Sequence, residues 1–283
     1  MNNVKMNLNG VIMSAEKPVI TADNRSFRYG DGCFETMKVV KGKIIHANEH
    51  FERFFSSLEL LQFDKPNYLT AAYLTDHINK LLQQNDHAKL ARIRLTLFRG
   101  NGGLYDAENH FPNYIIQTWD LNPSNNKLNE NGLVIDIYKD ARKVCDNFSH
   151  VKSNNFLSYA MAALWAKKNH LNDALLLNPY DTIADATIAN VFIVHNGIVK
   201  TPAVTEGCVN GIMKNYLLQC LCKENMPVEE TSLTIEDVLQ AQEVFLTNSI
   251  YGIKWVKQCD SSNYVLQTAA LLHKKFIEPL WLF

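Results

Sequence analysis

The chain has no excess of either charge: 28 basic residues stand against 29 acidic ones, for a formal net charge of −1. Without a basic block or stripe there is no electrostatic footprint for nucleic acid or an anionic membrane surface, and neither is expected as a partner. Long apolar runs are missing too. The longest, Tyr159 to Ala166, covers eight residues, where a membrane span needs about 20. The opening MNNVKMNLNG holds no apolar stretch of secretory length, so a cytoplasmic location is expected. The six cysteines (Cys33, Cys145, Cys208, Cys220, Cys222 and Cys259) are scattered through a mid-sized chain, which points to reduced thiols and excludes a disulfide framework. Cys220 and Cys222 stand two apart in a predicted helix, face different directions and make a poor metal site. There is no Walker-type phosphate loop, no HExxH pair and no nucleophile elbow, and Gly30-Asp31-Gly32 lacks the third glycine of a dinucleotide fingerprint. No metal is expected.

What remains is an ordinary globular composition, 47% hydrophobic and 20% charged over 283 residues, enough for one large domain or two small ones. Residues 33–39 and 43–46 read as a hairpin about Val40-Lys41-Gly42. In ANEHFERFFSSLELL the residues Phe51, Phe54, Phe55, Leu58 and Leu61 fall at helical spacing. The run ARIRLTLF alternates, placing Ala91, Ile93, Leu95 and Leu97 on one side of a strand and Arg92, Arg94 and Thr96 on the other. The two arginines form either an anion-binding wall or a plain solvated sheet face. A strand over 113–119 precedes 120–132, an Asn-rich stretch without apolar periodicity that is the best boundary in the chain. Beyond it the pattern predicts a strand over 133–138, a helix over 155–168 and a strand over 174–177. A hairpin over 190–202 turning at His195-Asn196-Gly197 and a helix over 211–223 follow. The domains are therefore drawn at 1–119 and 133–283, with 120–132 as the linker, in a mixed α/β (α+β) fold.

The informative feature is an ordered set of motifs: FRYGDGCFET (27–36), HFERF (50–54), RGNGG (99–103), VKSNNFL (151–157), DALLLNPYDTIADATIANVFIVHNGIVKTP (173–202), VNGIMKNYL (209–217) and EVFLTNSIYGIKWV (243–256). Each alone is weak; in this order the chain resembles the class IV, or fold-type IV, enzymes of pyridoxal 5′-phosphate (PLP). These include branched-chain and D-amino-acid aminotransferases and aminodeoxychorismate lyase. The resemblance implies a small N-terminal α/β domain, a larger barrel-like C-terminal domain and a homodimer.

By the same resemblance Lys152 matches the lysine that holds PLP, since a primary amine is needed to exchange with the substrate's amine. Arg53, with His50 beside it, matches the phosphate-binding arginine, whose fork suits two phosphate oxygens. The amides of Ile212 and Met213 at a helix start would point at the same phosphate, and Asn248 and Ser249 would close the cup. Asp185 and Asn190 match an acid-to-Asn pattern that partners the pyridine nitrogen. The family acid is glutamate, and aspartate is shorter by one bond, about 1.5 Å.

The substrate side draws on Phe34, Thr36, Lys38, Arg92 and Arg94, Arg94 matching a substrate-side arginine of branched-chain enzymes. No basic residue follows RGNGG, and the R-x-H pair expected for D-amino acids is missing. The expectation is an aminotransferase for a small or apolar amino acid. The alternative is aminodeoxychorismate lyase, which releases pyruvate and which VNGIM, NSIYGI, GDGCF and RGNGG resemble. A PLP-binding protein with little catalysis is a further alternative.

Overall fold

A computed structural model describes residues 4–282, which fall into two compact units: 4–123 with 152–155, and 124–151 with 156–282. The first unit is built on β1 (Lys5–Leu8), β2 (Val11–Ser14), the short α1 (Arg25–Tyr29), β3 (Gly32–Val40), β4 (Lys43–Ile44), α2 (Ala47–Leu60), α3 (Ala71–Gln84), β5 (Leu90–Arg99) and β6 (Pro112–Asp120). Its six strands run antiparallel in the order β2-β1-β6-β5-β3-β4. The alternation expected over 91–98 is present: Ala91, Ile93, Leu95 and Leu97 are fully buried. With Met37, Val39 and Ile116 they form the face on which Phe54 and Leu58 of α2 and Leu74, Ile78 and Leu81 of α3 are buried. Burial of each such side chain contributes about 1.5–3 kcal/mol. Helix α3 is absent from the sequence expectations, although Leu74, Ile78 and Leu81 hold helical spacing and Thr70 caps its start by accepting from the Tyr73 amide.

Two features of the first unit position its functional end. Asp31 bridges the guanidinium groups of Arg25 and Arg99, at 2.9 and 3.0 Å, so GDG is tied to the start of RGNGG. The segment 152–155 then lies directly on the start of β3. The Phe34 amide donates to the Lys152 carbonyl and the Asn154 amide to the Gly32 carbonyl, both at 2.9 Å, and Cys33 forms a bridge pair with Ser153. Gly32 leaves room here for the β5 backbone and for the Asn154 side chain. A Cβ there would collide with the Leu97 carbonyl and lie 2.7 Å from Asn154 Nδ2.

The second unit carries β7 (Leu133–Arg142), α4 (Leu157–Lys168), β8 (Asp173–Leu177), β9 (Ile183–Ala186), β10 (Asn190–His195), β11 (Ile198–Pro202), α5 (Ile212–Lys223), β12 (Val228–Thr231), α6 (Ile235–Leu239), β13 (Glu243–Asn248) and β14 (Gly252–Cys259). The strands form one mixed sheet in the order β12-β11-β10-β13-β14-β7-β8-β9. Strands β9 and β10 are far apart in that order yet consecutive in the chain, and the Ala186 amide donates to the Ala189 carbonyl. The sheet therefore curls into a half-barrel. Its concave core is apolar, with Ile135, Leu175, Ile183, Val191, Leu246 and Val256 all fully buried. Helix α4 packs outside on Tyr138, Ala174 and Leu176. The hairpin β10–β11 turns at Asn196-Gly197, with His195 opposite Ile198, as the sequence predicts. No helix among the described residues is long and apolar enough to cross a membrane.

The close approach at Gly32 generates a prediction. Gly32→Ala drives a methyl group into the Leu97 carbonyl of β5, strains the pairing of β3 with β5 and destabilises the chain by about 1–3 kcal/mol, the range for overpacking. Urea unfolding of the purified variant checks this, and an unchanged midpoint would contradict it.

Candidate functional site

The register of the first sheet decides which residues share a face. Phe34 pairs with Thr96, Thr36 with Arg94 and Lys38 with Arg92, and on the next strand Arg94 pairs with Gln117 and Arg92 with Trp119. Phe34, Thr36, Lys38, Arg92 and Arg94 therefore all project from the face opposite α2 and α3. Lys38 is fully buried. The Arg94 guanidinium lies 3.6 Å from the Phe34 ring centroid and donates to the Thr96 hydroxyl. Arg92 lies over the Trp119 ring at 4.5 Å, and its Nε has no hydrogen-bond partner among the described residues. Neither arginine meets a carboxylate among those residues. Burial, and then the neighbouring Arg92 charge, push down the proton affinity of Arg94. Arg92 and Arg94 thus bring two guanidinium groups to this face with aromatic rings, and no carboxylate, beside them among the described residues. The Lys152 amine sits over the same Phe34 ring, 4.8 Å from its centroid.

Arg53 lies on the other face of this sheet. Its Nε and Nη2 donate to the two oxygens of Glu35, each at 2.7 Å, and His50 Nδ1 is 2.7 Å from Glu35 Oε2. Helical spacing puts His50 and Arg53 side by side, and strand alternation turns Glu35 toward them and away from Phe34. Burial pushes the Glu35 carboxyl up, but the Arg53 charge and the hydrogen bonds from His50 and Arg53 outweigh it and hold it at about 2. This bidentate pair fixes the arginine's orientation and leaves Nη1 outside it.

In the second unit Asp185, at the end of β9, is fully buried and ringed by donors. Asn190 Nδ2 donates to Oδ1 at 2.8 Å, while the Tyr159 hydroxyl and the Val209 amide donate to Oδ2, each at 2.8 Å. Lys143 Nζ is 3.5 Å from Oδ2. Asn190 also donates to the Val209 carbonyl at 2.9 Å, and a Cβ on Gly211 would collide with its side-chain oxygen. The start of α5 is thus drawn against Asn190. Gly211 caps that helix without a side chain, so the first amides, those of Ile212 and Met213, have no intrahelical acceptor. Asn190 pairs with Thr247, which brings the turn at Asn248 and Ser249 to the same end. The Asn248 side chain closes this turn itself, accepting from the amides of Ile250 and Tyr251, and donates to the Ile188 carbonyl. Asp185, Asn190, Ile212, Met213, Asn248 and Ser249 therefore converge within one unit.

The family model for amino-transferase class IV matches residues 32–259. The chain belongs to the class IV aminotransferases. It is 29% identical over 260 residues to a provisionally named branched-chain-amino-acid aminotransferase of Methanocaldococcus jannaschii, covering 91% of this chain and 88% of that protein. To the aminodeoxychorismate lyase of Vibrio harveyi it is 27% identical over 232 residues, covering 81% and 83%. In fold it superposes on a branched-chain aminotransferase of Thermoproteus uzoniensis solved with norvaline, with a TM-score of 0.88 at 20% identity over 98% of this chain and 95% of that one. Class IV aminotransferases are PLP enzymes, and PLP is the cofactor of this chain. The residues fit such a group. A lysine amine suits its aldehyde, and the bare amides of α5 suit its phosphate. An acid with one oxygen carrying a single donor suits its ring nitrogen.

Three of the groups that shape these clusters have partners that no sequence motif marks. Glu35 stands in the FET motif, yet only the strand alternation marks it as facing His50 and Arg53. Lys143 and Tyr159 reach Asp185 across 42 and 26 residues of chain, and no spacing rule connects them. The Glu35 pairing is testable through pH. Its carboxyl is depressed from an ordinary 4.5 to about 2, so its stabilisation is complete above the ordinary value and disappears as the pH falls through the folded one. Glu35→Gln should lose about 3–5 kcal/mol at pH 7, the range for breaking a buried pair, and show a flatter stability profile between those two values. Thermal melts across that range measure both effects, and a profile parallel to wild type would contradict the pairing.

Proposed function

We propose that the enzyme exchanges the amino group of a small or apolar amino acid with a 2-oxo acid. The observation that carries this is the shared ring: the Lys152 amine and the Arg94 guanidinium lie 4.8 and 3.6 Å from the centroid of Phe34. An amino acid whose Cα sits at the lysine amine can place an apolar side chain against Phe34 and a carboxylate on Arg94. Arg92 and Lys38 extend the same positive face and favour anionic substrates. The relative from M. jannaschii supports the same reading by its name.

In this reading Lys152 anchors the cofactor and moves the proton at the substrate's Cα. Arg53, the amides of Ile212 and Met213, and the turn at Asn248 and Ser249 hold the phosphate, with Glu35 fixing Arg53. Asp185, oriented by Asn190, meets the ring nitrogen. When bound, PLP supplies a carbonyl carbon and an electron-withdrawing ring that make the Cα proton acidic.

Aminodeoxychorismate lyase is the second reading, favoured by the Vibrio harveyi relative at 27% identity. We also propose a cytoplasmic homodimer. Helix α4 turns Leu157, Met161 and Leu164 outward at 70%, 43% and 59% exposure, a helical stripe that a second copy would cover. Sedimentation at the mass of a single chain would contradict it.

The test is a panel of L- and D-amino acids and aminodeoxychorismate given to the PLP-loaded enzyme, with the products identified. A 2-oxo acid formed from small or apolar amino acids is expected, and pyruvate from aminodeoxychorismate alone would establish the lyase instead. Arg94→Ala should lower kcat/KM by roughly 10- to 100-fold, the range for one charged hydrogen bond. An unchanged kcat/KM would remove Arg94 from the substrate site.

A further inference from the structure

The buried carboxylate of Asp185 is not held by Asn190 alone. Its two oxygens are treated differently: Oδ2 faces the Tyr159 hydroxyl, the Val209 amide and Lys143 Nζ, whereas Oδ1 accepts only from Asn190. Lys143 is itself buried, with its ammonium fixed by the carbonyls of Ser149, at 2.9 Å, and Gly207. Its Nζ also lies 5.5 Å from the Tyr159 ring centroid. Asp185 is the one carboxylate it meets among the described residues. A buried lysine and a buried aspartate 3.5 Å apart form an ion pair maintained at considerable desolvation expense. Such pairs concentrate where a defined protonation state is needed.

We infer that Lys143 and Tyr159 are positioning residues that keep Asp185 ionised and direct its one open acceptor position to Oδ1. This rests on the reading that Asp185 meets the ring nitrogen, and it accounts for how an aspartate serves where the family carries the longer glutamate. Three donors on Oδ2 pin the rotation of the carboxylate, so the shorter acid is aimed as well as charged. The other groups facing Asp185 agree in sign. Lys214, fully buried on α5, adds positive charge, while Cys208 is a thiol pushed up to about 11 by burial, and so carries no charge at neutral pH. Burial pushes the Asp185 carboxyl up, and Lys143 leads the groups that pull it back. Tyr159 keeps its proton, since burial and the Asp185 charge raise its hydroxyl well above the ordinary value.

The test uses the full chain without cofactor. With 13C-labelled aspartate, the Asp185 side-chain carbon is assigned by its loss in Asp185→Asn and titrated by NMR. Lys143→Met should raise the titration midpoint by about 1–3 pH units, the range for losing an opposite charge at this separation. Lys143→Arg should retain the wild-type midpoint to within a few tenths of a unit. Tyr159→Phe, which removes one oxygen and keeps the ring, should raise it by a smaller amount and guards against a Lys143→Met protein that fails to fold. Midpoints in Lys143→Met and Tyr159→Phe equal to wild type would overturn the proposal. Because no cofactor is present, the result is independent of what Asp185 contacts in the loaded enzyme. That underlying reading fails separately if the ring-nitrogen signal of 15N-labelled PLP is the same in wild type and Asp185→Asn.

Discussion

The close contact between segment 152–155 and the first residues of β3 is the constraint on which the placement of Lys152 depends. Two backbone hydrogen bonds, at Phe34 and Asn154, fasten that segment to the strand, and Gly32 leaves room for the Asn154 side chain. Once the backbone is fixed there, the Lys152 amine has the Phe34 ring beneath it, and the period-two geometry of β3 and β5 sets Arg94 over the same ring. The Lys152 amine and the Arg94 guanidinium therefore share a wall because of strand register, without a loop having to be ordered to bring them together. The opposite face of the same strands is filled by α2 and α3, and Glu35, turned that way, anchors Arg53.

The second unit solves a different electrostatic problem. It must keep a carboxylate charged inside a half-barrel whose core is aliphatic. Burial alone disfavours the ionised acid, and the chain answers with donors from four separate places: Lys143 after β7, Tyr159 on α4, Asn190 on β10 and the Val209 amide before α5. The same Asn190 that touches Asp185 is the residue against which the helix start at Gly211 is packed. The acid and the bare amides of α5 are thereby held by one side chain.

Much of this was legible from residue patterns. The alternation over ARIRLTLF gives both the buried face and the arginine row, and the motif order from GDGCF to TNSIYG gives the family and the cofactor. The spacing of His50 and Arg53 gives a shared helix face. What escaped has physical reasons. Helix α3 carries the required periodicity in Leu74, Ile78 and Leu81 and was legible in principle. Lys143 and Tyr159 are different: their meeting at Asp185 is a product of the curled sheet, and a lysine at a strand end or a tyrosine in an apolar helix carries no local mark of it. The charge state of the arginine row was likewise undecidable from alternation. Whether Arg92 and Arg94 face water, a carboxylate or an aromatic ring depends on the neighbouring strands, and the structure places Trp119 and Phe34 there.

Whether Lys152 carries the cofactor is answered by chemical trapping. PLP-loaded protein is reduced with borohydride, digested and mapped by mass spectrometry. The phosphopyridoxyl mass is predicted on the peptide containing Lys152 at close to one group per chain. A label found instead on Lys143, Lys38 or a surface lysine, or no stable label at all, would contradict the assignment and the function built on it.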